Sequence, residues 1–205
     1  MTERAPRRAD AEQNRARIVD VARVALTESA DATLNSIAKR AGVGQGTLYR
    51  HFATREALLL AVYRQDIEEL LRAAPELLRA HEQRPLEALR LWLDRLAAYG
   101  RIKHGVAQAV EAATRADLSN EYYGRVIDTI GSLLLAGQDA GAVRADVDAP
   151  DVLLLVDFLW RSDQGPDWEP RTRHLLGLVL DGLRARPGAS AGASAGFSAE
   201  ASAGA

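Results

Sequence analysis

The sequence predicts an all-α protein of about nine helices. Strong helix formers, namely Leu, Ala, Arg and Glu, dominate its 205 residues. The alternation of apolar and polar residues that marks a β-strand never persists. Apolar residues instead recur every three or four positions, in segments bounded by glycine, proline or helix-capping residues.

The N-terminal part is expected to contain three helices. Residues 1–10 are polar and basic and are expected to be flexible. The first helix is predicted over 11–28, where Ile18, Ala22 and Leu26 share one face. Thr33 is a candidate N-cap, and the next helices are predicted at 34–40 and 45–52.

Longer helices follow. Thr54 is expected to cap a fourth helix that Pro75 kinks or stops, and the segment 162–170 is expected to be irregular. The Gly/Ala/Ser-rich residues 188–205 carry too little large apolar surface to fold and are expected to be disordered. The remaining helices are predicted at 85–103, 106–114, 119–137, 152–161 and 171–184.

Charge is distributed unevenly along the chain. Residues 1–65 contain 11 Arg and Lys against 7 Asp and Glu, a local charge of +4, whereas the remainder contains 15 against 21, or −6. A basic first third joined to an acidic remainder indicates two modules with different partners.

Composition narrows the cellular context. The sequence contains no cysteine, which excludes disulfides and thiolate metal sites and fits a reducing cytoplasm. It has no apolar run near the roughly 20 residues of a membrane span, and the charged N-terminus lacks the apolar core of a signal peptide. We therefore expect a cytoplasmic protein without a membrane partner.

Residues 33–52, TLNSIAKRAGVGQGTLYRHF, have the pattern of a helix-turn-helix. Ala41 is small enough for two helices to cross closely, and Gly42 suits the left-handed conformation that ends a helix. The expected buried positions are Leu34, Ile37, Ala38, Val43, Leu48 and Phe52. The outer side of the third helix then presents Gln45, Gly46, Thr47, Tyr49, Arg50 and His51. A short, rigidly held polar helix is what major-groove recognition requires.

These residues resemble the tetracycline-repressor (TetR) family of bacterial regulators. The resemblance covers 13–64 and rests on the ordered run TLNSIAKRAGV, GTLYRHF and TREALLLAV. Chain length and the all-helical remainder agree with it. One departure is Gly44, where the family often has Ser or Thr, so we carry no DNA contact over to Gly44.

The resemblance implies DNA contacts for several residues. Thr47, Tyr49 and His51 would meet phosphates or base edges, while Arg55 and Thr33 would hold phosphates at helix N-termini. We choose Gln45 and Arg50 for base reading, because Gln pairs with adenine and Arg with guanine in bidentate geometry. A set of N-terminal arginines would add salt-dependent affinity for the DNA backbone: Arg4, Arg7, Arg8, Arg15 and Arg17.

The resemblance also divides the chain into a DNA-binding domain at 11–54 and an effector-binding and dimerisation domain at 55–187. The last two helices would form a four-helix bundle with a second copy, through Val152, Leu155, Phe158, Leu159, Leu175, Leu176, Val179 and Leu183. A small-molecule pocket would be lined by Trp92, Leu96, Tyr99, His104, Gln108, Glu111, Tyr122, Tyr123 and Ile127.

An enzyme is the least favoured class. The four histidines lack metal-ligand spacing, and no serine lies in a GxSxG elbow, so we expect no catalysis, metal or cofactor. We expect a homodimeric repressor that binds a palindromic operator and is released by an effector. Two alternatives stay open, namely an activator and a DNA-binding protein without an effector.

Overall fold

A computed structural model describes residues 4–29, 32–109, 112–161, 165 and 167–185. Among these residues no strand occurs beyond an isolated bridge between Val143 and Arg184, which confirms the all-α fold class. The helices are α1 (Arg4–Glu28), α2 (Leu34–Arg40), α3 (Gln45–His51), α4 (Arg55–Ala80), α5 (Pro85–Ala109), α6 (Ala112–Asp139), α7 (Ala149–Leu155), α8 (Phe158–Arg161) and α9 (Trp168–Leu183).

The first three helices form a compact unit around a small apolar core. Ile18 of α1, Ile37 of α2 and Leu48 of α3 are all fully buried there. Each side chain lies on the face of its helix that meets the other two helices, as the apolar spacing predicts. These buried side chains hold the three helices together, and the opposite face of α3 does not take part in this core.

Helix α4 connects this unit to the rest of the chain. It begins beside α3, packs against α1, and continues for 26 residues along α5 and α6. The indole of Trp92 on α5 donates a hydrogen bond of 3.0 Å to the Leu70 carbonyl on α4, with both groups buried. Pro75 lies inside α4 and does not end it, contrary to the possibility that it stops the helix.

Two predicted boundaries in the first half of the chain are wrong. Helix α1 begins at Arg4 instead of residue 11, because this segment is rich in Ala and Arg and Pro6 falls in the first turn, where no backbone donor is needed. Helix α5 continues through Gly105 to Ala109, and α6 begins at Ala112, so the described residues of the predicted helix 106–114 belong to α5 and α6. Residues 1–3, 110 and 111 lie outside the described residues.

The second half differs in two further places. The predicted helix at 152–161 is divided into α7 and α8, and α7 starts early through a capping box between Asp148 and Asp151. Helix α9 begins at Trp168, within the segment predicted to be irregular, since Pro170 is tolerated in a first turn. Four residues of that segment (162–164 and 166) and the predicted tail (188–205) lie outside the described residues.

No helix in the described part of the chain is both long enough and apolar enough to cross a bilayer.

Gly137 allows the end of α6 to pack closely against the following loop. A Cβ atom at Gly137 would overlap Cγ2 of the buried Val143. Gly137→Ala is therefore expected to lower the free energy of unfolding by about 1–3 kcal/mol, although alanine is the better helix former. Urea unfolding at fixed protein concentration measures the change.

A second substitution and a matched glycine test the cause. Val143→Ala removes the methyl that would clash, so it should recover part of the loss in the double variant. Gly124 lies on the same helix with open space around it, and Gly124→Ala should not destabilise the fold. Equal losses in both glycine variants would contradict the packing explanation.

Asp66 is a carboxylate buried between α1 and α4. Burial raises its pKa from 3.8 to about 6, Arg23 opposes this rise, and Glu69 adds to it. Because the folded-state pKa exceeds the unfolded one, the folded chain binds more protons between these values. Stability therefore falls as pH rises through this range.

Asp66→Asn is consequently expected to stabilise the protein at high pH. A shift from 3.8 to about 6 corresponds to an increase in unfolding free energy of up to about 3 kcal/mol at pH 8, falling to about half of that at pH 5. Urea unfolding at the two pH values measures it, with the exposed Asp139→Asn as control. A variant less stable than wild type at pH 8 would mean that the attraction between Asp66 and Arg23 stabilises the fold more than burial of the carboxylate destabilises it.

Candidate DNA-binding surface

The turn between α2 and α3 has the hydrogen bonds of a Schellman motif. The Gly42 N–H donates to the Lys39 carbonyl, and the Val43 N–H donates to the Ala38 carbonyl. Gly42 has a φ of +64°, a conformation that L side chains rarely adopt. This fixed turn sets the direction in which α3 leaves α2.

The N-terminus of α2 is closed by its own side chains. The Thr33 hydroxyl oxygen accepts a hydrogen bond of 3.2 Å from the Ser36 N–H, and the Ser36 hydroxyl donates to the Thr33 carbonyl at 2.8 Å. Both residues are exposed. Thr33 is the N-cap that the sequence predicts, and Ser36 places a second exposed hydroxyl beside it.

Helix α3 is anchored by two side chains four positions apart. Leu48 is fully buried, and Phe52, which follows the last turn, is 2% exposed. The opposite side carries the predicted contact residues: Gln45, Gly46, Tyr49 and Arg50 are exposed, and Thr47 and His51 are half-buried. The structure thus gathers the six predicted α3 residues on or beside one outward face.

Arg50 lies along its own helix. Its Nε donates to the Gly46 carbonyl at 3.1 Å, and its Nη2 donates to the Thr47 hydroxyl at 3.0 Å. Both acceptors are exposed or half-buried, so solvent can replace these bonds at small free-energy cost. The guanidinium can therefore swing outward to meet a base.

Two arginines border α3 from neighbouring helices. Arg15 of α1 places its guanidinium 5.1 Å from the centre of the Phe52 ring, a cation–π contact that joins α1 to the end of α3. Arg55 is the first residue of α4, and its Nε lies 3.5 Å from the Ala32 carbonyl just before α2. Together they add positive charge near the C-terminal end of α3.

Comparison with known proteins identifies the relationship. The family model described as bacterial regulatory proteins, tetR family, matches residues 18–62. A second model, described as transcriptional regulator SbtR-like, C-terminal domain, matches residues 84–185. A TetR transcriptional regulator from Streptomyces coelicolor, SCO0520, has a solved structure that is 34% identical, with a TM-score of 0.71 over 84% of this chain and 99% of that one.

The chain belongs to the TetR family. A TetR transcription regulatory protein from Mycobacterium vanbaalenii agrees with this, at 33% identity and a TM-score of 0.64 over 86% of this chain and 98% of that one. This TetR-family chain is therefore a DNA-binding transcriptional regulator with a helix-turn-helix.

A curated relative matches a shorter region. The chain is 30% identical over 107 residues to an HTH-type transcriptional regulator of Staphylococcus aureus (strain USA300). The match covers 51% of this chain and 57% of that protein, so the chain spans little more than half the length of the relative.

The predicted effector-pocket residues of this TetR-family chain differ in burial where their side chains are described. Trp92, Leu96, Tyr99 and Tyr122 pack into the core, whereas Ile127 is half-buried. The Tyr123 side chain is 56% exposed, because the inward direction of Tyr122 turns its neighbour outward, so Tyr123 does not line the interior. Glu111 and the side chains of His104 and Gln108 lie outside the described residues.

The predicted dimer residues divide into two groups. Four are enclosed by the protomer's own core: Val152, Leu159, Leu176 and Leu183. The others remain at the surface, with Leu155 exposed and Phe158, Leu175 and Val179 half-buried. Leu154 and Leu178 are further exposed apolar side chains of α7 and α9, at 75% and 56% exposure.

Proposed function

We propose that the protein is a homodimeric repressor whose two copies of α3 read a palindromic operator. The observation that carries the proposal is the outward face of α3, which is polar, exposed and held by a fixed turn on one side and two buried anchors on the other. Such a helix fits the major groove, where Gln45 and Arg50 have the donors and acceptors to read adenine and guanine.

The proposed supporting contacts come from the residues around α3. Thr47, Tyr49 and His51 would hold phosphates or base edges, and Gly46 would let the backbone approach the DNA closely. Thr33 and Arg55 stand at the N-termini of α2 and α4, where backbone N–H groups favour an anion.

Dimerisation is proposed through the exposed apolar surface of α7, α8 and α9. Leu154, Leu155 and Leu178 are more than half exposed in the protomer, which is unusual for three leucines on neighbouring elements. A two-fold pair would cover them and place two recognition helices about one turn of DNA apart.

Release by a small apolar effector in the C-terminal domain completes the proposal. Helix α4 supports it as a mechanical link, because one end touches the DNA-binding unit and the other packs against α5 and α6. Two ion pairs tie α4 to α6, namely Glu68 with Arg125, at 2.5 and 2.7 Å, and Arg64 with Glu121, at 3.3 Å. By thermodynamic linkage, the effector would weaken operator binding by the same factor by which the operator weakens effector binding.

Selection of bound sequences from random double-stranded DNA tests the proposal. The full-length protein should enrich a palindrome with half-sites about 34–36 Å apart, and should prefer it over unrelated DNA by at least about 10³ at physiological salt. Expression of a reporter gene whose promoter overlaps this site should then fall when the protein is present. Enrichment without a palindrome would contradict the dimer, a smaller preference would contradict specific recognition, and a rise in expression would contradict repression.

A further inference from the structure

A cleft of about 930 Å³ lies where the DNA-binding unit meets the C-terminal helices. Its walls come from α1, α4, α5 and α9, and Tyr99 is the one predicted pocket residue with a described side chain that contributes to it. The volume is in the range of small-molecule sites. Much of the wall is apolar, with Val24, Leu70, Ala97, Ala98, Trp168 and Leu176.

Arg23 of α1 and the carboxylates of Asp66 and Glu69 on α4 form a charged cluster in its wall. Arg23 Nη1 is 2.8 Å from Glu69 Oε2 but 3.6 Å from Asp66 Oδ1, so the guanidinium favours Glu69. The Asp66 side chain is only 9% exposed. Among the described residues, its Oδ1 accepts no hydrogen bond. Ionised, this group of three carries a net charge of −1 beside an apolar wall.

The other charged groups along the cleft do not neutralise Asp66. Glu28 pairs with Arg40, and Arg90 pairs with Glu87 and Asp94. Arg95, Glu169 and Arg173 are exposed, where solvent screens them. A buried acceptor without a hydrogen bond is costly, and a donor with a full positive charge satisfies it best.

We propose that this cleft binds a protonated primary amine with an apolar body. The ammonium group donates to Asp66 Oδ1, and the body lies against Leu70, Ala98 and Trp168. The pKa of Asp66, raised by burial to about 6, still leaves the carboxylate ionised at neutral pH and above. An anion of the same shape would meet Asp66 and Glu69 and be repelled.

A ligand in this cleft would act on the contact between α1 and α4. An ammonium group at Asp66 competes with Arg23, which joins α1 to α4. Binding itself does not depend on the repressor function. Only its effect on operator affinity rests on that proposed function, so the two are measured separately.

Three probes that share one body test the site: 4-phenylbutylamine, 4-phenyl-1-butanol and 4-phenylbutyrate. The full-length protein, labelled with 5-fluorotryptophan and free of DNA, is titrated by ¹⁹F NMR. The three tryptophan signals are assigned with single Trp→Phe variants. The amine should shift the Trp168 signal, leave that of Trp160 in place, and bind at least about tenfold more tightly than the alcohol, because hydrogen bonds to charged groups exceed neutral ones by this margin. The carboxylate should bind more weakly than the alcohol.

Variants separate recognition by Asp66 from general attraction. Asp66→Asn should reduce amine affinity by about tenfold, to that of the alcohol, and leave alcohol affinity unchanged. Asp139→Asn removes an exposed carboxylate outside the cleft and should change neither. Ala98→Trp fills the cleft and should weaken the amine and the alcohol alike.

Several results would overturn the proposal. These are equal affinity of amine and alcohol for the wild type, no amine binding at millimolar concentration, or an Asp66→Asn variant that binds the amine like wild type. If Asp66→Asn fails to fold, the relative affinities of the three probes for the wild type and for Ala98→Trp still test whether the cleft binds the amine. Amine binding that leaves operator affinity unchanged would contradict only the link to DNA, while failure to bind any operator would contradict only the proposed function.

Discussion

Leu178→Asp is expected to convert the protein from a dimer to a monomer and to weaken operator binding by more than about 100-fold. The side chain is 56% exposed on α9 and, by our proposal, is covered by the partner. A two-fold interface contains the same residue twice, so each dimer would bury two carboxylates in an apolar surface. A monomer reaches one half-site and loses the gain from binding both halves together, which is worth about 10²–10⁴ in affinity.

Sedimentation equilibrium measures the oligomeric state, and fluorescence anisotropy measures operator affinity. Tyr123→Asp is the matched control, because Tyr123 is an equally exposed large side chain that belongs to α6 and not to α7, α8 or α9. It should leave both quantities unchanged. A Leu178→Asp protein that remains dimeric at micromolar concentration would remove this surface from the interface.

The helix-turn-helix could be predicted from the sequence in detail because its constraints are local. Gly42 is needed for a positive φ, and Leu48 and Phe52 stand four positions apart on a helix of only two turns. Each choice depends on residues fewer than ten positions away. The fold class followed for the same reason, since helical periodicity is visible within a single segment.

What covers a helix face could not be predicted in the same way. Residues 152–161 and 171–184 are apolar on almost all sides, so the sequence gives no sign of which leucines face the protomer and which face outward. The structure buries Leu159 and Leu176 but exposes Leu155 and Leu178. That division depends on the break between α7 and α8 and on contacts with α5, which are far away in sequence.

The cleft was missed although the sequence contains a signal for it. Asp66 lies four positions after Val62 and four before Leu70, both of which are buried on the core side of α4. A carboxylate at that position on the core face predicts a buried charge. Its partner Arg23 lies 43 positions earlier on another helix, so the pairing required the tertiary structure.

Arg50→Ala is expected to weaken operator binding by about 2–6 kcal/mol per dimer, at least about 30-fold, while changing non-specific binding little. Each bidentate Arg–guanine contact contributes about 1–3 kcal/mol of discrimination, and the dimer makes two. To reach a base, Arg50 must leave the Gly46 carbonyl and the Thr47 hydroxyl, both of which water can satisfy. Moving the Arg50 side chain from α3 to a base therefore costs little free energy.

The control variants distinguish base reading from simple charge. Arg79→Ala removes an exposed arginine near the far end of α4 and should change neither affinity nor sequence preference. Arg50→Lys keeps the charge but lacks the planar pair of donors, so it should lose sequence preference while preserving the salt dependence of binding. If Arg50→Ala weakened operator and random DNA by the same factor, Arg50 would be a phosphate contact, and base reading would fall to Gln45 and its neighbours on α3.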